Sequence, residues 1–95
     1  MFIVSITYTR ELSAVDKLID EHVRYLDEQY AAGHFLASGR KVPRTGGVIL
    51  AQVASRSALD LILQQDPFYQ ADMADYDVTE FVPSKVAEGL TILQE

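Results

Sequence analysis

Ninety-five residues, 48% hydrophobic and 23% charged, specify one small folded domain spanning residues 1–95 rather than a disordered chain. Eight Lys and Arg against fourteen Asp and Glu leave a net charge of −6, which argues against nucleic acid as a partner. With no cysteine, a disulfide framework, a thiolate metal site and a cysteine nucleophile are all excluded. No segment has the length of an apolar membrane span, so a cytoplasmic location is expected.

The chain opens with Phe2, Val4, Ile6 and Tyr8 alternating against Ile3, Ser5, Thr7 and Thr9, the pattern of a strand with one apolar face. From about Ser13 the period lengthens. Val15, Leu18, Ile19, His22, Val23, Leu26 and Tyr30 recur at helical spacing, which predicts an amphipathic helix with Ser13 as N-cap and Gly33 as its stop. A strand from His34 to about Arg40 follows, then the turn-rich run Lys41 to Gly47. Val48 to Ala54 is apolar on both faces, which suggests a central strand covered on each side. Ser55 caps a second helix carrying Leu59, Ile62 and Leu63. Asp66 before Pro67 ends it, because a residue preceding proline is pushed away from helical angles. Pro67 opens a short helix to about Met73, and a last strand around Tyr76 and Val78 stops near Pro83. The tail, with Val86, Leu90, Ile92 and Leu93, is too apolar for a free end.

Right-handed crossovers turn this order into an α+β, ferredoxin-like βαββαβ sandwich with a C-terminal extension and both helices on one sheet face. The other face presents Ile3, Ser5, Thr7 and apolar residues of the third strand. A homodimer is the economical way to cover it.

His22 lies near the centre of the first helix's apolar arc, where an imidazole needs a polar partner. It is either a satisfied structural histidine or a general acid/base in a semi-apolar pocket. Asp66 is a natural N-cap for the helix opened by Pro67. Antiparallel helices would also bring it beside His22, where it could fix the ring's tautomer. Arg40, Lys41 and Arg44 form either a solvated loop or an anion-orienting one, with Arg40 best placed because it ends a strand. Ser38 is a hydrogen-bonding wall residue, and Tyr8, Phe68 and Tyr69 could line an apolar pocket. Two histidines without an i, i+4 pair or a carboxylate cluster make a weak case for a metal, and a cofactor-free protein is the expectation.

The segments Asp20–Leu26, Ala32–Gly39, Asp66-Pro67-Phe68 and Tyr76–Phe81, in this order and spacing, resemble the YciI-like (YCII-related) family. Where many relatives continue the second strand into Gly-Pro, here Arg40 follows Gly39, which alters the pocket rim. The resemblance implies a fold related to the dimeric α/β-barrel proteins, a dimer, and a His–Asp pair as active site, here His22 and Asp66. One branch of the family resembles a dehydrochlorinase of chlorinated hydroxyhydroquinones. Two functions then compete: a cofactor-independent lyase or isomerase moving protons on a small anionic or phenolic ring compound, and a non-catalytic ligand-binding or accessory homodimer. A buried His–Asp pair that only positions the two helices is the third reading.

Overall fold

The computed structural model describes all 95 residues. The strand β1 (Phe2–Tyr8) is followed by α1 (Leu12–Asp16) and α2 (Ile19–Ala31), then by β2 (Phe35–Arg40) and β3 (Gly46–Ala51). Next come α3 (Arg56–Leu63), α4 (Pro67–Gln70) and β4 (Ala74–Glu80), and a 3₁₀ turn at Thr91–Leu93 lies in the tail. The sheet order is β2-β3-β1-β4 with every neighbouring pair antiparallel, the ferredoxin-like βαββαβ arrangement. In β1, the alternation buries Phe2, Val4 and Ile6 against Ile49 and Ala51 of β3 and against Tyr25, Leu59, Ile62 and Leu63 from the helices. Each fully buried aliphatic or aromatic side chain contributes about 1.5–3 kcal/mol, so this single cluster is the main source of stability. No helix is long and apolar enough to cross a membrane.

Several elements depart from the sequence reading. Ser13 is not a cap: the first helix begins at Leu12, with the Glu11 carbonyl accepting from the Ala14 and Val15 amides. The helix is also broken after Asp16. Leu18 N–H bonds to Val15 C=O, a tight i→i+3 turn that re-aims the chain before α2 starts at Ile19. Strand β3 begins two residues earlier than its apolar run and ends at Ala51, because Gly46 and Gly47 already pair with β1. Helix α3 keeps its Ser55 cap, whose hydroxyl accepts from Ala58 N–H at 3.1 Å, but it stops at Leu63, before Asp66. Gly33, at φ +79°, terminates α2 in the left-handed conformation that glycine adopts without penalty.

The buried line of α2 runs through Tyr25 and Gln29, not through Val23, Leu26 and Tyr30. Gln29 is polar yet 6% exposed, and its Oε1 lies 2.7 Å from His34 Nδ1. Rotation toward Tyr25 leaves Ile19 and Val23 facing a cleft, with Leu26 between that cleft and the edge of the core cluster.

On the far side of the sheet the tail folds over one end. Leu50, Met1, Phe81, Pro83, Val86, Leu90 and Leu93 enclose an apolar hollow there, and Glu95 N–H bonds to the Pro83 carbonyl. This accounts for the two-faced apolar pattern of β3 at Leu50, whereas Val48 and Ile3 stay more than a third exposed.

Candidate active site

One irregularity in β2 builds the site. Phe35 pairs with Ala51 and Ala37 with Leu50, so a bulge at Leu36 shifts the register by one residue. In a pleated strand such a shift sends every later side chain to the opposite face. Ser38 then pairs with Ile49 and Arg40 with Gly47, so both side chains face the helices. A cleft of about 190 Å³ opens between this edge and α2. Its walls include Ile19, His22, Val23 and Leu26 on one side and Ser38 and Arg40 on the other, with Ile6 and Tyr8 from β1.

The floor is largely backbone. A Cβ on Gly46 would lie 1.7 Å from the Ile6 carbonyl oxygen, and one on Gly47 would lie 3.0 Å from that of Gly39. At Gly46 only glycine allows this approach, whereas a Cβ at Gly47 would be a tight contact.

His22 is 12% exposed and its Nδ1 lies 2.7 Å from Asp66 Oδ1. Asp66 is completely buried. Its Oδ1 also accepts from Phe68 N–H at 3.0 Å, and its Oδ2 accepts from the Tyr76 hydroxyl at 2.6 Å. The expected helix cap and the expected histidine partner are therefore one and the same carboxylate. An acceptor-only carboxylate at Nδ1 requires a proton there, so in the neutral ring Nε2 carries the lone pair. The ring is held from beneath by Phe68, stacked at 4.1 Å between centroids and 14° between planes.

Burial, with the Asp66 charge second, pushes the Tyr76 phenol well above the ordinary tyrosine range. Tyr25 is raised for the same two reasons, and its hydroxyl donates to the Ile62 carbonyl at 2.9 Å. Both phenols are thus fixed donors around the pair.

The three cations of the β2–β3 turn have separate fates. Arg44 binds Asp16, and this hydrogen bond holds the Asp16 carboxyl below its usual range. Lys41 reaches Thr7 Oγ1 at 3.1 Å. Arg40 enters no ion pair and lines the cleft. Opposite it, the Ser38 hydroxyl lies 2.7 Å from that of Tyr30, joining β2 to α2. Of the residues expected to form a site, the cleft gathers His22, Arg40, Ser38 and Tyr8, with Asp66 directly behind His22, and Tyr69 lies outside it. Phe68 does not reach the wall. It is 1% exposed beneath the His22 ring, with its edge to Tyr8 at 5.8 Å. Tyr76 and Tyr30 were not named among the site candidates; alternation with Val78 signals that Tyr76 faces the helices, but only the β1–β4 register brings it to Asp66. Nowhere do three or more His, Cys, Asp or Glu side chains gather as metal ligands.

The family profile of the YCII-related domain matches residues 1–82. The chain belongs to the YCII-related family. A search of curated protein sequences returns no match. Among solved structures, this YCII-related domain is similar to the 5-chloro-2-hydroxyhydroquinone dehydrochlorinase TftG of Burkholderia phenoliruptrix AC1100, in complex with 2,5-dihydroxybenzoquinone. The match has a TM-score of 0.71 at 17% identity and covers 85% of this chain and 93% of the other. At that identity the likeness establishes the shared fold.

Proposed function

We propose that this YCII-related domain is a cofactor-independent enzyme of lyase or isomerase type, acting on a small anionic or phenolic ring compound. The observation that carries the reading is the His22 ring, pinned through Nδ1 to buried Asp66 while the residue lines a cleft beside an unpaired arginine. Nε2 takes a proton from a ring hydroxyl or an acidified ring carbon. The electron pair left behind either expels a leaving anion, completing an elimination, or is reprotonated at another carbon by the same imidazolium, completing an isomerisation. The Asp66 carboxylate balances the positive charge that forms on His22, and Arg40 balances the negative charge of the ring oxygen. Ser38 and Tyr8 position the ring, whose dimensions suit the cleft.

The ligand of TftG, a dihydroxybenzoquinone, is of the same chemical class and supplies the first probe. Binding of 2,5-dihydroxybenzoquinone is measured by calorimetry, and turnover of 5-chloro-2-hydroxyhydroquinone by chloride release. His22→Ala is expected to lower the rate by about 10²–10⁴-fold. Arg40→Ala is expected to weaken binding of the anionic quinone by about tenfold, the loss of one charge-assisted contact. Chloride release unchanged by His22→Ala would end this reading. Binding without turnover would favour a non-catalytic ligand-binding role.

A homodimer belongs to the same proposal. Ile3 and Val48, 38% and 39% exposed, lie on the sheet face away from the helices, and a two-fold partner would cover them. Sedimentation equilibrium at micromolar concentration tests it, a monomer being the adverse result.

A further inference from the structure

Tyr76 makes no contribution to the cleft wall, yet its hydroxyl is the sole partner of Asp66 Oδ2. We propose that Tyr76 is a positioning residue for His22, acting through Asp66. This rests on the reading of His22 as the proton-transfer residue.

The argument begins with the carboxylate's freedom. Asp66 sits at the N-cap of α4, a single turn of helix, and Phe68 N–H holds only Oδ1. Around that one anchor the carboxylate could still rotate, carrying Oδ1 out of line with the imidazole. The Tyr76 hydroxyl at 2.6 Å fixes the second oxygen and with it the plane of the group. Tyr76 is itself fixed. Its position in β4 is set by pairing with Ile6 in the middle of the β1–β4 ladder, and Tyr69 packs edge-on at 5.5 Å. The chain Tyr76–Asp66–His22 thus transmits the rigidity of the sheet to a ring on a helix. A phenol held protonated in this position is a donor and not a proton carrier, so its role is orientation.

The test is the His22 tautomer, read from the ring ¹⁵N shifts and two-bond couplings of labelled protein. His34, the only other histidine, serves as internal control. In the native protein the Nδ1–H form of His22 is expected to dominate. In Tyr76→Phe the ratio of Nδ1–H to Nε2–H should fall by about tenfold, the effect of one lost hydrogen bond to a charged group. A ratio that is unchanged or higher in folded Tyr76→Phe overturns the proposal. Should that variant not fold, Tyr76→3-fluorotyrosine keeps the volume and the hydroxyl while making it a stronger donor. Movement of the His22 ¹⁵N resonances but not those of His34 then supports the proposal, and still resonances refute it. The two readings also fail separately. If Tyr76→Phe shifts the tautomer but His22→Ala leaves chloride release intact, positioning stands and the proposed reaction falls. If His22→Ala abolishes turnover while Tyr76→Phe leaves the tautomer alone, the reverse holds.

Discussion

Replacing Asp66 separates a helix cap from the anchor of a buried network. A cap alone is worth about 1 kcal/mol. In the structure, however, the completely buried carboxylate accepts from three donors, at 2.7, 3.0 and 2.6 Å. Hydrogen bonds to charged groups contribute about 1.5–3 kcal/mol each, and release of a desolvated charge offsets part of that sum. Asp66→Ala is therefore expected to cost about 3 kcal/mol, out of a total of about 5–14 kcal/mol for a domain of this size. Asp66→Asn retains the volume and an oxygen for Phe68 N–H, and should cost about 1 kcal/mol. With a urea m value of about 1.5 kcal/mol/M, the alanine variant loses about 2 M in midpoint, against under 1 M for asparagine. Far-UV circular dichroism at neutral pH reads both values, and an unchanged slope certifies that only stability has moved. If the alanine variant costs only about 1 kcal/mol and the asparagine variant next to nothing, the carboxylate is a cap and the network account is wrong.

Other expectations follow from the same geometry. The folded state raises Tyr76 and Tyr25, so it retains protons that the unfolded chain releases above about pH 10. Their contribution is complete below that pH and is lost as pH rises, at up to about 1.4 kcal/mol per unit for each tyrosine. Tyr76→Phe should accordingly be less stable than the native protein at pH 7, by about 1.5 kcal/mol, with the gap narrowing between pH 10 and 11; a constant gap in urea titrations refutes this. Gly46→Ala should cost about 3 kcal/mol or more, because its Cβ meets the Ile6 carbonyl at 1.7 Å. Gly39→Ala, with open space around its Cβ, should stay within about 0.5 kcal/mol, and equal thermal shifts for the two glycines would contradict the close-approach account. Ser55→Ala removes the bond to Ala58 N–H and should cost about 1 kcal/mol by urea unfolding, with no change in quinone binding.

What could be read from sequence was local. Alternation along Phe2–Tyr8 places a strand and names its buried face, since period and burial are set within one element. The Ser55 cap and the Gly33 stop were legible because each depends on a few adjacent residues. The YciI-like resemblance and the fold it implied agree with the family match and the observed topology. Pairings between elements were harder. The bulge at Leu36 leaves no mark in the composition of β2, yet it decides that Ser38 and Arg40 face the helices. Helical spacing correctly grouped His22 with Ile19, Val23 and Leu26. It left their surroundings open, because periodicity reports which residues share a face and not whether a neighbour or a void lies opposite. Tyr76 reaches Asp66 through strand register, which no stretch of sequence around either residue contains.

The glycine floor restricts how the cleft can change its shape. A side chain at position 46 would collide with the backbone of β1, and one at position 47 would press on the Gly39 carbonyl of β2, so position 46 cannot be substituted without moving the sheet. Residues 19, 23 and 26 of α2 project into the cleft without supporting the central core cluster, apart from the edge contact of Leu26. Drift at those three positions can enlarge, narrow or re-polarise the cavity while the His22–Asp66 pair keeps its setting. For the proposed reaction, a library confined to these three positions varies the cavity while His22 and Asp66 stay in place.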